Sequence, residues 1–178
     1  MPFTVSRRSQ GAFPLSYRIV QYRAGTGCDM EVFTSSSMQV LPYTASSVGV
    51  ARRRLLNDLA KAGVGEVTAC DAGLVLSELI SNALRHATPL PDHTIKAAWQ
   101  LRQDTMKIAV SDGGGPTSPS VSEPTGWAIG GRGLGIVDRI SLRWGVSDED
   151  GEITVWAELP VRYGGAESRL VTASARDA

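Results

Sequence analysis

The chain has 178 residues, which suits one domain with a sizeable core, since single domains commonly run to about 100 to 200 residues. Its 18 basic and 18 acidic side chains cancel, so there is no overall electrostatic case for direct binding of nucleic acid or of an anionic membrane. Only Cys28 and Cys70 are present, too few for a disulfide framework or a zinc cluster, and no apolar run approaches the ~20 residues that span a bilayer; the expected compartment is the reducing cytoplasm.

Residues 1–29 carry Arg7, Arg8, Arg18 and Arg23 with no acidic residue before Asp29 and no sustained period. They read as a flexible tail or as sequence upstream of a true start at Met30, with an interaction arm as the alternative. A domain is expected over 30–162. Glu31 to Leu41 reads as a first strand or strand pair closed by Pro42, and Thr44-Ala-Ser-Ser47 supplies N-cap candidates for a helix running through Val48, Ala51, Leu55 and Leu59 to a stop at Gly63. Arg52, Arg53 and Arg54 interrupt that helix as a basic cluster. Asp71 is the expected cap of the next helix, and Pro89 and Pro91 end its region.

Thr94 to Leu101 and Thr105 to Ser111 alternate like antiparallel strands joined by a polar turn at Arg102-Gln-Asp104. Gly113 to Gly131 is rich in Gly, Pro and Ser without a period, which predicts a mobile loop and, beside a ligand site, a lid. A helix from Leu134 to Ser141 and a hairpin formed by Arg143–Val146 and Ile153–Leu159 complete the domain; residues 163–178 read as a second tail. The order of elements implies an α/β (α+β) two-layer sandwich, a mixed and mainly antiparallel sheet with helices on one face.

The chemistry concentrates in three places. On the helix after Asp71, Leu76, Leu79, Ile80, Ala83 and Leu84 form a buried stripe, while Glu78, Asn82 and His86 make a polar row beside it. A carboxylate leaning inward is costly unless it borders water, a cation or a polar ligand. After Met106–Val110 the chain turns at Asp112-Gly-Gly-Gly-Pro116, and Gly130-Gly-Arg-Gly-Leu-Gly135 opens onto a helix, where free backbone amides and the helix dipole make an anion site suited to phosphates.

Glu78-x3-Asn82, Asp112-x-Gly114 and Gly131-x-Gly133-Leu134 resemble the N, G1 and G2 boxes of the GHKL, or Bergerat, ATP-binding fold shared by gyrase, histidine kinases and MutL. The short length and the Arg52 cluster are similar to the RsbW and SpoIIAB type of anti-sigma factor and serine kinase, as is the ending Gly151-x-x-Thr154-Val-Trp-Ala-Glu-Leu-Pro160. The resemblance covers about Glu31 to Pro160. It implies that Asn82 supplies an oxygen to Mg²⁺ and that Glu78 is the general base for attack on the γ-phosphate of ATP. It further implies that Asp112 accepts from the adenine amino group beside Gly114, that Gly131, Gly133 and Leu134 give amides to the phosphates with Arg132 near them, and that Thr154 offers a hydroxyl near the base. His86 is either structural or within reach of phosphate. Arg52 and Arg53 are either a solvated helix face or the surface that binds a partner protein. The implied activity is that of a regulatory serine/threonine protein kinase: it sequesters a sigma factor and phosphorylates an anti-anti-sigma partner of STAS type, and a homodimer is compatible with it.

The chain departs from the family pattern at Pro116, where a further glycine is usual, and no basic residue occurs between Gly113 and Gly131. Both bear on phosphoryl transfer more than on nucleotide binding. The competing readings are a non-catalytic protein-binding module that keeps ATP as a structural ligand or none, a sensor kinase fragment, and an unrelated α/β domain. The sensor kinase would need a phospho-accepting histidine upstream of Glu78, and the chain has only His86 and His93. Taken singly, each motif has a plain structural reading: Glu78 paired with Arg85 or His86, Asp112 in a turn, and a glycine turn before a helix.

Overall fold

The computed structural model describes residues 35–115 and 132–164. The expected tail over 1–29, most of that over 163–178, the start of the first strand, and the expected lid from Pro116 to Gly131 lie outside the described residues. The elements are β1 (Ser35–Pro42), α1 (Ser46–Lys61), α2 (Glu66–His86), β2 (Thr94–Leu101), β3 (Thr105–Asp112), α3 (Arg132–Ile140), β4 (Arg143–Glu149) and β5 (Glu152–Pro160). They form one five-stranded sheet in the order β1-β2-β3-β5-β4, and every pairing is antiparallel.

Helix α1 buries Ala51, Leu55 and Leu59 at four-residue spacing and leaves its arginines exposed. The hydroxyls expected to cap it do not do so: Ala45 is the N-cap, while Ser47 donates to the Pro42 carbonyl at 2.6 Å, tying the helix to the end of β1. Helix α2 begins at Glu66, well before the expected cap at Asp71, which is half-buried within it. Two interactions set that start. Gly65 is extended and its amide donates to Arg162 at 2.8 Å, and Glu66 places a carboxylate in the first turn, where the helix dipole favours it.

By length and composition α2 is apolar enough to cross a membrane, contrary to the expectation from the sequence that no run is. Its apolar residues are instead core: Ala72, Val75, Leu76, Leu79, Ile80 and Ala83 are buried in one cluster with Ile95, Ile108, Val110, Val137 and Leu159. Burial of each large side chain contributes about 1.5 to 3 kcal/mol, and this stripe holds the helix to the sheet.

The sheet has two unlike faces. Ile95, Ala97, Trp99 and Leu101 of β2, Met106, Ile108 and Val110 of β3, and Ala157 and Leu159 of β5 belong to the core cluster and face the helices. By alternation, Lys96, Lys107, Ser111, Thr154, Trp156 and Glu158 face the other way. There the Lys107 ammonium lies 4.7 Å from the Trp156 ring centroid, Lys96 pairs with Glu152 at 2.5 Å, and Arg143 pairs with Glu158 at 2.5 Å. Burial raises the Glu158 carboxyl, but the hydrogen bond and charge of Arg143, joined by Thr105 and the Arg102 charge, together hold the group below the ordinary glutamate value.

Candidate functional site

Three elements converge on the helix-facing side of the sheet. From α2, Glu78 and Asn82 stand one turn apart and half-buried. The first turn of α3 meets them: a Cβ built on Gly133 would stand 2.6 Å from Glu78 Oε2 and 3.1 Å from both Oδ1 and Nδ2 of Asn82. Only glycine allows that approach, so the amides that open α3 are brought beside a carboxylate and a carboxamide. Among the described residues Glu78 makes no ion pair, which removes the plain reading in which it bonds Arg85 or His86. Asn82 Nδ2 is buried and has no hydrogen-bond partner among the described residues, and such a group costs about 1 to 3 kcal/mol unless a ligand or water satisfies it.

The second part of the site is the end of β3. Asp112 is only 4% exposed, and its Oδ1 accepts the Gly114 amide at 2.8 Å. Burial pushes its carboxyl above the ordinary aspartate value; the Gly114 bond opposes this and the nearby Glu152 charge adds to it. Gly114 adopts φ +76°, in the left-handed region, and lets the chain leave the strand sharply.

That turn is locked to the end of α2. Thr88 donates its amide to Gly114 O at 2.7 Å and receives the Gly113 amide on its own carbonyl at 2.9 Å. Its hydroxyl reaches Gly113 O at 3.0 Å and Gly114 O at 2.9 Å. No side chain fits at Gly113, where a Cβ would lie 2.6 Å from Pro89 O, nor at Gly115, which abuts the His86 carbonyl. Tyr43, in the link from β1 to α1, shares its hydroxyl hydrogen between two carbonyls at the end of α2, Ala83 O at 2.6 Å and that of the C-cap Ala87 at 2.5 Å. Burial, and after it the Asp112 charge, push the Tyr43 phenol up. Neither Thr88 nor Tyr43 is singled out by the sequence, because both act on backbone atoms distant along the chain.

The remaining expected residues divide. Leu134 packs half-buried against the core. The His86 side chain is exposed, and its backbone carbonyl is the part that meets Gly115. Thr154 is not brought to this side: its Cα is paired with that of Ser111, and the two hydroxyls bond at 2.7 Å on the face away from the helices. The β5 residue opposite Asp112 is Ile153. Gly131 and the Arg132 side chain lie outside the described residues. Arg52 and Arg53 are exposed on α1; Arg52 lies across Gly73 of α2, where a Cβ would be 3.3 Å from its Nε.

As a donor set, one carboxylate and one carboxamide oxygen are hard ligands of the kind magnesium takes when phosphate oxygens and waters supply the rest. The orphaned Asn82 amide and the glycine cradle fit such a group. Among the described residues no cluster of His, Cys, Asp and Glu would hold a metal by itself.

No curated protein matches the chain by sequence. Among solved structures it is similar to the RsbU and RsbW domains of Rv1364c from Mycobacterium tuberculosis, with a TM-score of 0.55 and 19% identity over 71% of this chain. The match spans 33% of that protein, a likeness of fold. The histidine kinase-like ATPase domain family matches residues 41–158, the whole stretch from the end of β1 to β5. With its helix-borne Glu78 and Asn82, the Asp112 turn and the glycine opening of α3 arranged on one antiparallel sheet, the chain belongs to the histidine kinase-like ATPase domain family.

Proposed function

We propose that this domain is a Mg-ATP-dependent regulatory protein kinase of the anti-sigma factor type, acting on a serine of a protein partner in the cytoplasm. The observation that carries the reading is the approach of Gly133 to Glu78 and Asn82, with Asp112 buried in the same layer. When bound, Mg-ATP supplies the phosphoryl group and the cation that offsets its charge. Asn82 would hold the metal through its side-chain oxygen, and the amides of Gly131, Gly133 and Leu134, with Arg132 nearby, would meet the phosphates. Asp112 would accept from the adenine amino group, and Glu78 Oε2 would take the proton of the attacking serine hydroxyl.

The partners are those of a partner-switching system: a sigma factor held by the protein, and a STAS-type anti-anti-sigma protein that is phosphorylated. RsbU and RsbW domains in the similar structure support such a setting. The exposed Arg52 and Arg53 offer a basic docking face on α1. A second reading, a protein-binding module that retains ATP as a structural ligand, is favoured by one feature: no basic residue lies between Gly113 and Gly131 to assist transfer.

Calorimetric titration with ATP, with and without Mg²⁺, tests the site; Asn82→Ala is expected to weaken the magnesium-dependent part. Transfer of label from ATP to a serine-bearing partner then separates the two readings. Binding without transfer supports the module with ATP as a structural ligand, and no heat with no thermal stabilisation by millimolar Mg-ATP overturns the kinase and leaves the module that binds no nucleotide.

A further inference from the structure

Helix α2 ends in a turn that needs partners from outside the helix. Its C-cap, Ala87, is extended, and the Ala87 amide still donates to Ala83 O at 2.9 Å, which leaves the last carbonyls to be met from elsewhere. The Tyr43 hydroxyl meets two of them, although 40 residues separate it from Ala83. Its aim is fixed: the Tyr43 amide donates to His93 O at 2.8 Å, the ring packs half-buried against the core, and the neighbouring Pro42 carbonyl takes the Ser47 hydroxyl at 2.6 Å. Directly beyond Ala87, Thr88 is bonded through its amide, carbonyl and hydroxyl to Gly113 and Gly114, and the Gly114 amide is bonded to Asp112 Oδ1. One run of hydrogen bonds therefore leads from the Tyr43 hydroxyl through the end of α2 to the Asp112 carboxylate.

We propose that Tyr43 is a positioning residue for nucleotide binding: by holding the last turn of α2 it sets the glycine turn after β3, and so the place at which Asp112 presents its carboxylate. The inference rests on the nucleotide reading above and adds to it a residue that acts from outside the site, through α2. Without the hydroxyl, two partly buried carbonyls lose a donor and the last turn of the helix is free to loosen toward water. Only the fraction of molecules with the turn in place then binds well, so the loss is read in affinity as well as in stability. It falls chiefly on the contact that Asp112 makes, because the turn carries that residue, whereas the amides proposed for the phosphates open α3.

The test compares wild type with Tyr43→Phe, which keeps the ring and its packing, by titrating the full chain with ATP and with purine riboside triphosphate, which lacks the 6-amino group. Wild type is expected to prefer ATP by about tenfold or more, the size of one hydrogen bond to a charged group. In Tyr43→Phe, ATP affinity should fall about three- to tenfold, the worth of one neutral hydrogen bond, and the preference should shrink with it. Hydrogen exchange of the Ala87, Thr88, Gly113 and Gly114 amides should quicken in the free variant and return to wild-type protection with saturating ATP. A merely structural bond would lower the melting temperature and move neither readout; Ser47→Ala, which removes the hydroxyl bond to Pro42 O in the same link, is expected to behave in that way. If Tyr43→Phe folds poorly, wild type alone decides: the four amides should open as one unit, and unlike opening free energies overturn the assignment. A folded Tyr43→Phe protein that keeps the wild-type preference for ATP overturns it while the nucleotide site stands. A wild type that does not distinguish the two ligands removes the role of Asp112 and this inference with it, and one that binds neither overturns the nucleotide reading as well.

Discussion

At the end of β3 the chain is closed on itself: Thr88 and the glycines after Asp112 exchange backbone hydrogen bonds, and Tyr43 ties the end of α2 into the same region. Among the described residues there is no such closure around Glu78 and Asn82; the side chains meet the start of α3 through one glycine, and the Asn82 amide has no partner among them. The contrast teaches that the base end of the proposed site is prepared by folding, whereas the phosphate end leaves polar groups for a ligand to complete. A prepared end contributes affinity with little further loss of conformational freedom, and an unfinished end responds to what is bound.

The sharpest way to break this comparison is at the unfinished end. Glu78→Ala is expected to reduce phosphoryl transfer by about 10²- to 10⁴-fold, the usual worth of a positioned base, while leaving ATP affinity near wild type. A labelled-partner assay run beside calorimetry checks it, and equal loss of binding would make Glu78 a ligand-holding group instead of a base. Next in size is Gly133→Ala, which sets a methyl group against Glu78 Oε2. Overpacking of this kind costs about 1 to 3 kcal/mol, and here it should appear as weaker nucleotide binding, with the melting temperature of the unliganded protein as the control.

At the prepared end, Asp112→Asn is expected to lower ATP affinity by about tenfold, because the carboxamide meets the adenine amino group without charge. The same change sharpens the comparison through pH. The Asp112 carboxyl is raised in the folded protein, so folding favours its protonated form. Stability therefore falls as pH rises from the ordinary aspartate value through the raised one, and the cost of ionisation is fully present above that. The asparagine variant should escape this cost: in the unliganded state its melting temperature gains on wild type as pH is raised through that window. A constant difference across the window would show that burial is not what perturbs the group.

The smallest expected effect is Thr88→Val, which keeps the shape and removes the hydroxyl that bridges Gly113 and Gly114. A loss of about 0.5 to 1.5 kcal/mol of stability is expected, with a weaker dependence of ATP affinity on temperature-induced loosening of the turn than on the Asp112 change itself. Thermal unfolding and calorimetry on one sample measure both.

The sequence by itself determined the elements, because burial patterns repeat with the helical or strand period, and it determined the three motifs that carry the family resemblance. It also placed Glu78 and Asn82 on one helix face, since their spacing fixes that geometry before any packing occurs. Its errors fall where the deciding contact is long-range. The start of α2 at Glu66 depends on a hydrogen bond from Gly65 to Arg162, far away in the chain. The apolar length of α2 is ambiguous until the sheet that covers it is known. Which face Thr154 takes is likewise beyond the motif, because strand register decides it: a shift of one residue moves every side chain to the other side, and here the register pairs Thr154 with Ser111 and Ile153 with Asp112. Tyr43 and Thr88 carry no motif, since what they bond is backbone brought near only by folding. Tertiary structure alone decided these points, because register and long-range hydrogen bonds are set by the packing of the whole sheet.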